Sequence, residues 1–264
     1  MNITFGIITY AEGEQHDMSW RDRVRCMCDS IRKQNIPEYE IIICGGPFVS
    51  EGRHSLSLHN KPDIIHIEFN ENSTPDKTRF NLEGQDVGPF YKQNNIKSTG
   101  WISKKKNHII KRAKYENIVF MHDYIALMHG WYEGQLKYKD ENGDDWDLQM
   151  NVIQNIWGER SRDWLSWDNP KYGQRVSMPY EDQSEDAMKY SYISGSYWVG
   201  KKRFMEENLL NEDCVWGSCD DSEWSMRVRE KAKYVMNPHS VVRYIRPKYI
   251  GEEPLDKPRP GLYP

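Results

Sequence analysis

Asp123 follows the apolar run Asn117-Ile118-Val119-Phe120-Met121 and His122, so a carboxylate stands at the end of a buried strand. A lone carboxylate joined by substrate phosphate oxygens is one way to hold Mg²⁺ or Mn²⁺, and an isolated Asp at such a place also serves as a turn or helix cap. Asp220 and Asp221 open a segment whose apolar positions, Trp224 and Val228, have helical spacing. A wheel sets the two carboxylates on either side of that stripe, from which they could face a cleft. Paired carboxylates raise one pKa for general-base work, whereas acids in a first turn also answer the helix dipole. Lys106 falls inside the apolar arc of another helix, where it could snorkel to water or reach an anionic ligand beyond the strand ends. His239 could complete a metal site or simply pack. Gly195-Ser196 could admit a ligand close to the backbone or mark a bulge.

These positions need elements to hold them. Residues 3–9 are short, apolar and β-branched, and predict a buried strand that runs into a polar loop over 10–19. Val24, Met27, Cys28 and Ile31 give residues 21–35 one buried helical stripe, and Pro37 closes that helix. Residues 40–44 and 63–69 predict two further strands, so the order of elements points to a parallel α/β sheet. Residues 71–100 are polar and predict a long loop near a site or a mobile flap. The helix over 102–113 has Lys104, Lys105, Lys111 and Arg112 on a solvent arc opposite Ile102, Ile109, Ile110 and Ala113. Residues 117–121 predict a fourth strand, whose carboxyl end carries Asp123; open α/β sheets bind ligands at that edge. Further strands are predicted at 192–199, 235–237 and 240–244, with helices over 201–210 and from Asp220 to Arg229. Five of the thirteen prolines lie beyond residue 246, which predicts a main domain over 1–246 and an extended tail over 247–264.

A chain of 264 residues has room for one large core. The net charge of −4 supplies no global field for nucleic acid or an anionic membrane, which excludes binding modes that depend on one. No run approaches the roughly 18 apolar residues of a membrane span, and the apolar start lacks a basic flank, so the chain is expected to stay in the cytosol. The five cysteines are odd in number and lack a paired C-x-x-C spacing, which predicts reduced packing residues. No G-x-G-x-x-G, Walker lysine loop, H-E-x-x-H or G-x-S-x-G motif is present, which removes the common dinucleotide, NTPase, zincin and hydrolase-elbow readings.

The order of features narrows the class further. A first strand ending Ile7-Ile8-Thr9-Tyr10-Ala11-Glu12 is followed by Ile41-Ile42-Ile43, Lys106-Asn107 and Phe120-Met121-His122-Asp123. Ile193-Ser194-Gly195-Ser196 and Asp220-Asp221-Ser222-Glu223-Trp224 come later. Over residues 3–245 this series resembles the nucleotide-sugar glycosyltransferases of the GT-A fold, above all the inverting family two. The resemblance implies an α/β, Rossmann-like fold with a mostly parallel central sheet flanked by helices. It also implies a nucleoside-diphosphate sugar as donor and a carbohydrate as acceptor. Thr9, Tyr10 and Glu12 then match the nucleotide-holding loop, and Lys106 and Asn107 join the donor side. Asp123, helped by His239, matches the metal position for Mn²⁺ or Mg²⁺. Asp221 matches the general base with Asp220 beside it, and Gly195, Ser196, Trp198 and Trp216 fall on the acceptor side.

Two departures from that family's pattern stand out: Gly45-Gly46-Pro47 replaces the acids after the second strand, and His122-Asp123-Tyr124 carries one carboxylate where two or three are common. A catalytically silent carbohydrate- or nucleotide-binding module and a sugar nucleotidyltransferase are the alternative readings.

Overall fold

The computed structural model describes residues 1–9, 20–45, 62–69, 102–212, 214 and 220–246. The expected loops over 10–19 and 71–100 and the proline-rich tail lie outside these residues, as do Tyr10, Glu12 and Trp216.

The chain opens with β1 (Ile3–Ile8), α1 (Trp20–Arg32), β2 (Tyr39–Cys44) and β3 (Ile64–Ile67). It continues through α2 (Ile102–Arg112), β4 (Asn117–His122), β5 (Ile125–Leu127) and α3 (Trp131–Asn142). A third stretch holds β6 (Leu148–Gln154), β7 (Arg160–Ser161), β8 (Leu165–Ser166), α4 (Glu185–Lys189) and β9 (Ser191–Tyr192). The last elements are β10 (Tyr197–Lys201), α5 (Lys202–Glu207), α6 (Asp220–Val228) and β11 (Tyr234–Tyr244).

Among the described residues one nine-stranded sheet has the order β3-β2-β1-β4-β10-β6-β11-β5, with β7 paired to β6. β3, β2, β1 and β4 are parallel, β10 runs against β4 and β6, and β11 is parallel to β6. Strands buried on both faces need no polar alternation, and successive β4 residues divide accordingly. Val119 and Met121 join the core under α1 and α3, while Ile118 and Phe120 face the core under α2, α5 and α6. Gly6 lets α2 lie close on β1, because a Cβ there would stand 2.6 Å from Ile109 Cγ2. Cys26, Cys28, Cys44 and Cys214 are thiols, and burial pushes that of Cys28 up to about 12.

The first four predicted strands and the first two helices are present with ends shifted by a few residues. The predicted strand over 192–199 is instead two pieces, β9 and β10, joined by a turn in which the Tyr197 N–H donates to Ser194 O at 3.1 Å. The two late strands are one, β11, irregular between Asn237 and Val241. Among the described residues no helix is long and apolar enough to cross a membrane.

Candidate functional site

β1 has β2 and β3 on one side and β4 on the other, so the chain reverses its direction of travel across the sheet between β1 and β4. A crevice at the carboxyl ends of the strands forms at such a point. Thr9 and Asp123 line it. The Asp123 Oδ2 atom accepts hydrogen bonds from the Thr9 hydroxyl and from Arg23 Nη2 of α1, both at 3.0 Å, and all three residues are buried. The Lys105 ammonium of α2 donates to Thr9 O at 3.0 Å and lies 5.1 Å from the Phe69 ring centroid. Two cationic side chains therefore stand at this edge, Arg23 on the Asp123 carboxylate and Lys105 on the Thr9 carbonyl.

The next group along the edge is joined to Asp123 through the sheet. The His122 N–H donates to Ser196 O at 2.9 Å, and the N–H of the neighbouring Gly195 donates to Asp221 Oδ2 at 3.1 Å. A Cβ on Gly195 would lie 2.8 Å from that same oxygen, so close approach of backbone and carboxylate requires glycine here. Asp221 Oδ1 accepts from Ser222 N at 2.9 Å. Two backbone N–H groups thus hold the Asp221 carboxyl in place at the start of α6, where it is only half-buried. Such a carboxylate can take a proton from an approaching hydroxyl.

Asp220 is different. It is buried, and its Oδ2 pairs with the fully buried Lys106 ammonium at 3.3 Å. Burial pushes its carboxyl above the ordinary range; Lys106 opposes the shift and the charge of Asp221 adds to it. Adjacent lysines of α2 therefore divide their work, Lys105 at the end of β1 and Lys106 under the start of α6.

Several expectations are corrected. Lys105 is not on a solvent face but 1% exposed, because Thr9 and Phe69 cover it. Lys106 turns to Asp220 rather than to the strand ends. Asn107 ties α2 to the chain after α5, with its amide exchanging hydrogen bonds with Leu210 N and O at 3.0 and 2.9 Å. Trp198 is wholly buried, its ring stacked on Phe120 at 4.2 Å, and presents no face to an acceptor. Ser196 is buried too, its hydroxyl 3.2 Å from that of Ser194.

His239 is not brought to Asp123. It sits at the irregularity of β11 over α3, with Nε2 2.8 Å from Glu141 Oε2, while the carboxyl end of β11 pairs with β5 beyond Asp123. Among the described residues no group of three or more His, Cys, Asp or Glu could hold a metal ion. Asp123 Oδ2 is engaged by Arg23 and Thr9, so a cation held here would share the Asp123 carboxylate with Arg23.

The sequence reading missed Arg23 and Lys105. Arg23 lies one turn before Met27, on the rim of the buried stripe of α1, where its position could have marked it. The burial of Lys105 depends on the partners it meets across the sheet, which a helical wheel does not contain.

The mixed sheet with helices on both faces is an α/β architecture of the kind solved in glycosyltransferases. Solved structures of S. aureus TarS are similar to it. TarS residues 1–349 in complex with UDP align with a TM-score of 0.56 and 12% identity, covering 92% of this chain and 60% of that one. The complex of the same fragment with UDP-GlcNAc aligns with a TM-score of 0.55 and 12% identity over 96% and 60%. The chain thus spans 60% of the length of these neighbours, and at such identity the likeness is one of fold. No protein-family model and no curated protein matches the sequence.

Proposed function

We propose that this protein transfers a sugar from a nucleoside-diphosphate sugar to a hydroxyl of a carbohydrate acceptor, with inversion at the anomeric carbon. The observation that carries the reading is the continuity of one edge: the Thr9–Asp123–Arg23–Lys105 cluster is joined through His122 and Ser196 to Gly195 and Asp221. The UDP and UDP-GlcNAc complexes of TarS support a nucleotide-sugar donor on this fold.

In this reading the diphosphate lies over the ends of β1 and β4. The acceptor hydroxyl attacks the anomeric carbon from the side of Asp221, which takes its proton as the glycosidic bond to the diphosphate breaks. Lys105 and Arg23, buried just beneath this edge, set a positive field for the negative charge that develops on the leaving diphosphate. Asp123 orients Arg23 and the Thr9 hydroxyl, and Lys106 with Asp220 anchors the start of α6. Single displacement through one base inverts the anomeric configuration.

We expect UDP, used as the probe, to bind equally well with EDTA or with added Mn²⁺, and Lys105→Met to weaken it by about tenfold, through loss of positive charge beneath the edge. Isothermal titration reads both effects. Binding that disappears in EDTA and returns with Mn²⁺ would assign the diphosphate to a cation instead.

A further inference from the structure

Trp157 is 52% exposed, the most open of the large hydrophobic side chains among the described residues, whereas Trp131, Trp164, Trp198 and Trp224 are wholly buried. It stands on the turn between β6 and β7, at the carboxyl end of β6 and therefore on the same sheet edge as Asp123 and Gly195. The turn is tightly held. The buried Asn155 accepts from Trp157 N and Glu159 N, both at 3.0 Å, through Oδ1, and its Nδ2 donates to Glu159 Oε2 at 2.8 Å. Backbone bonds close it from Gly158 N to Asn155 O at 3.1 Å and from Asn155 N to Glu159 O at 2.8 Å.

The surroundings are polar. Arg243 donates to Gln154 Oε1 from Nε at 3.0 Å and Nη2 at 2.6 Å, and Nη2 is 3.3 Å from where a side chain on Gly158 would begin. One indole among Glu159, Gln154 and Arg243 lacks the contiguous apolar area by which protein partners dock. It has the composition that suits a sugar: a flat apolar face for the ring's C–H groups and planar polar groups for its hydroxyls. An aromatic side chain on a fixed turn also loses little conformational freedom on binding.

We propose that Trp157 is the floor of an acceptor subsite that takes one pyranose ring of a glycan, with Arg243 and Glu159 as its polar rim. The assignment rests on the transferase reading, because it takes the acceptor to approach along the edge that carries Asp221.

The test uses the full chain with UDP present, presented to an array of immobilised oligosaccharides, with UDP affinity titrated in parallel. The parent should retain a subset of glycans, Trp157→Ala should lower their affinity about tenfold, and Trp157→Phe should restore most of it. UDP affinity should be the same in all three, since the side chain is exposed and remote from the Lys105 cluster. Equal glycan retention by Trp157→Ala, or no retention by a parent that binds UDP, would overturn the subsite and leave the donor reading standing. Absence of binding by UDP and by the other common nucleoside diphosphates would overturn the transferase reading itself, and the subsite with it.

Discussion

Asp221→Asn is expected to lose about 10²- to 10⁴-fold in kcat, the usual worth of a positioned base, with nucleotide affinity close to that of the parent. The choice between the neighbouring acids follows from their partners. Asp220 is shielded and already paired with Lys106, so it has neither the exposure nor the free geometry to meet a hydroxyl. Asp221 is half-buried and keeps lone pairs beyond the N–H groups of Gly195 and Ser222. The amide of Asn preserves the shape but turns an NH₂ toward one of those N–H groups, at a stability cost of about 0.5–1.5 kcal/mol. Such a loss leaves the variant folded, so steady-state kinetics on it report the chemical step. Preserved kcat with weakened donor binding would make Asp221 a donor-binding residue instead.

Lys106→Met should destabilise the protein by about 3–5 kcal/mol at neutral pH, because it leaves the buried Asp220 carboxylate without its counter-ion. The loss has a definite pH dependence. Burial already raises the Asp220 carboxyl above its ordinary 3.8, and removing the opposing cation raises it further. A carboxyl raised in the folded state costs nothing while both states are protonated, and the cost grows as pH rises through the window above 3.8. The deficit of Lys106→Met in chemical denaturation should therefore be small near pH 4 and large at pH 7. If Lys106 were instead a donor ligand, its variant would lose UDP affinity with little change in stability.

The sequence exposes the half of the fold that depends on local pattern. Buried β-branched runs define β1, β2 and β4, and the stripe of Val24, Met27, Cys28 and Ile31 defines α1. The placement of Asp123, Gly195, Asp220 and Asp221 at the ends of elements is also legible, because each stands where an apolar run begins or ends. What is lost lies in contacts between distant segments. Lys105 and Lys106 are neighbours on one helix with different destinations, one set by Thr9 and the other by Asp220, some 100 residues away in either direction. Trp198 alternates on a strand like a surface residue yet meets Phe120 and Trp224, because helices cover both faces of the sheet. His239 belongs to a bulged strand against α3, and its bond to Glu141 could be read only once that strand was placed. Trp157 has no periodic neighbours, and its exposure follows from the Asn155 turn rather than from its residue type.

The most direct test is product analysis after incubation of the protein with a panel of nucleoside-diphosphate sugars and an oligosaccharide mixture. The account predicts that at least one donor yields free nucleoside diphosphate together with a glycan extended by one sugar of inverted anomeric configuration, and that Asp221→Asn abolishes most of this turnover. Release of pyrophosphate, extension with retained configuration, or binding of donors across the panel without any turnover would contradict it.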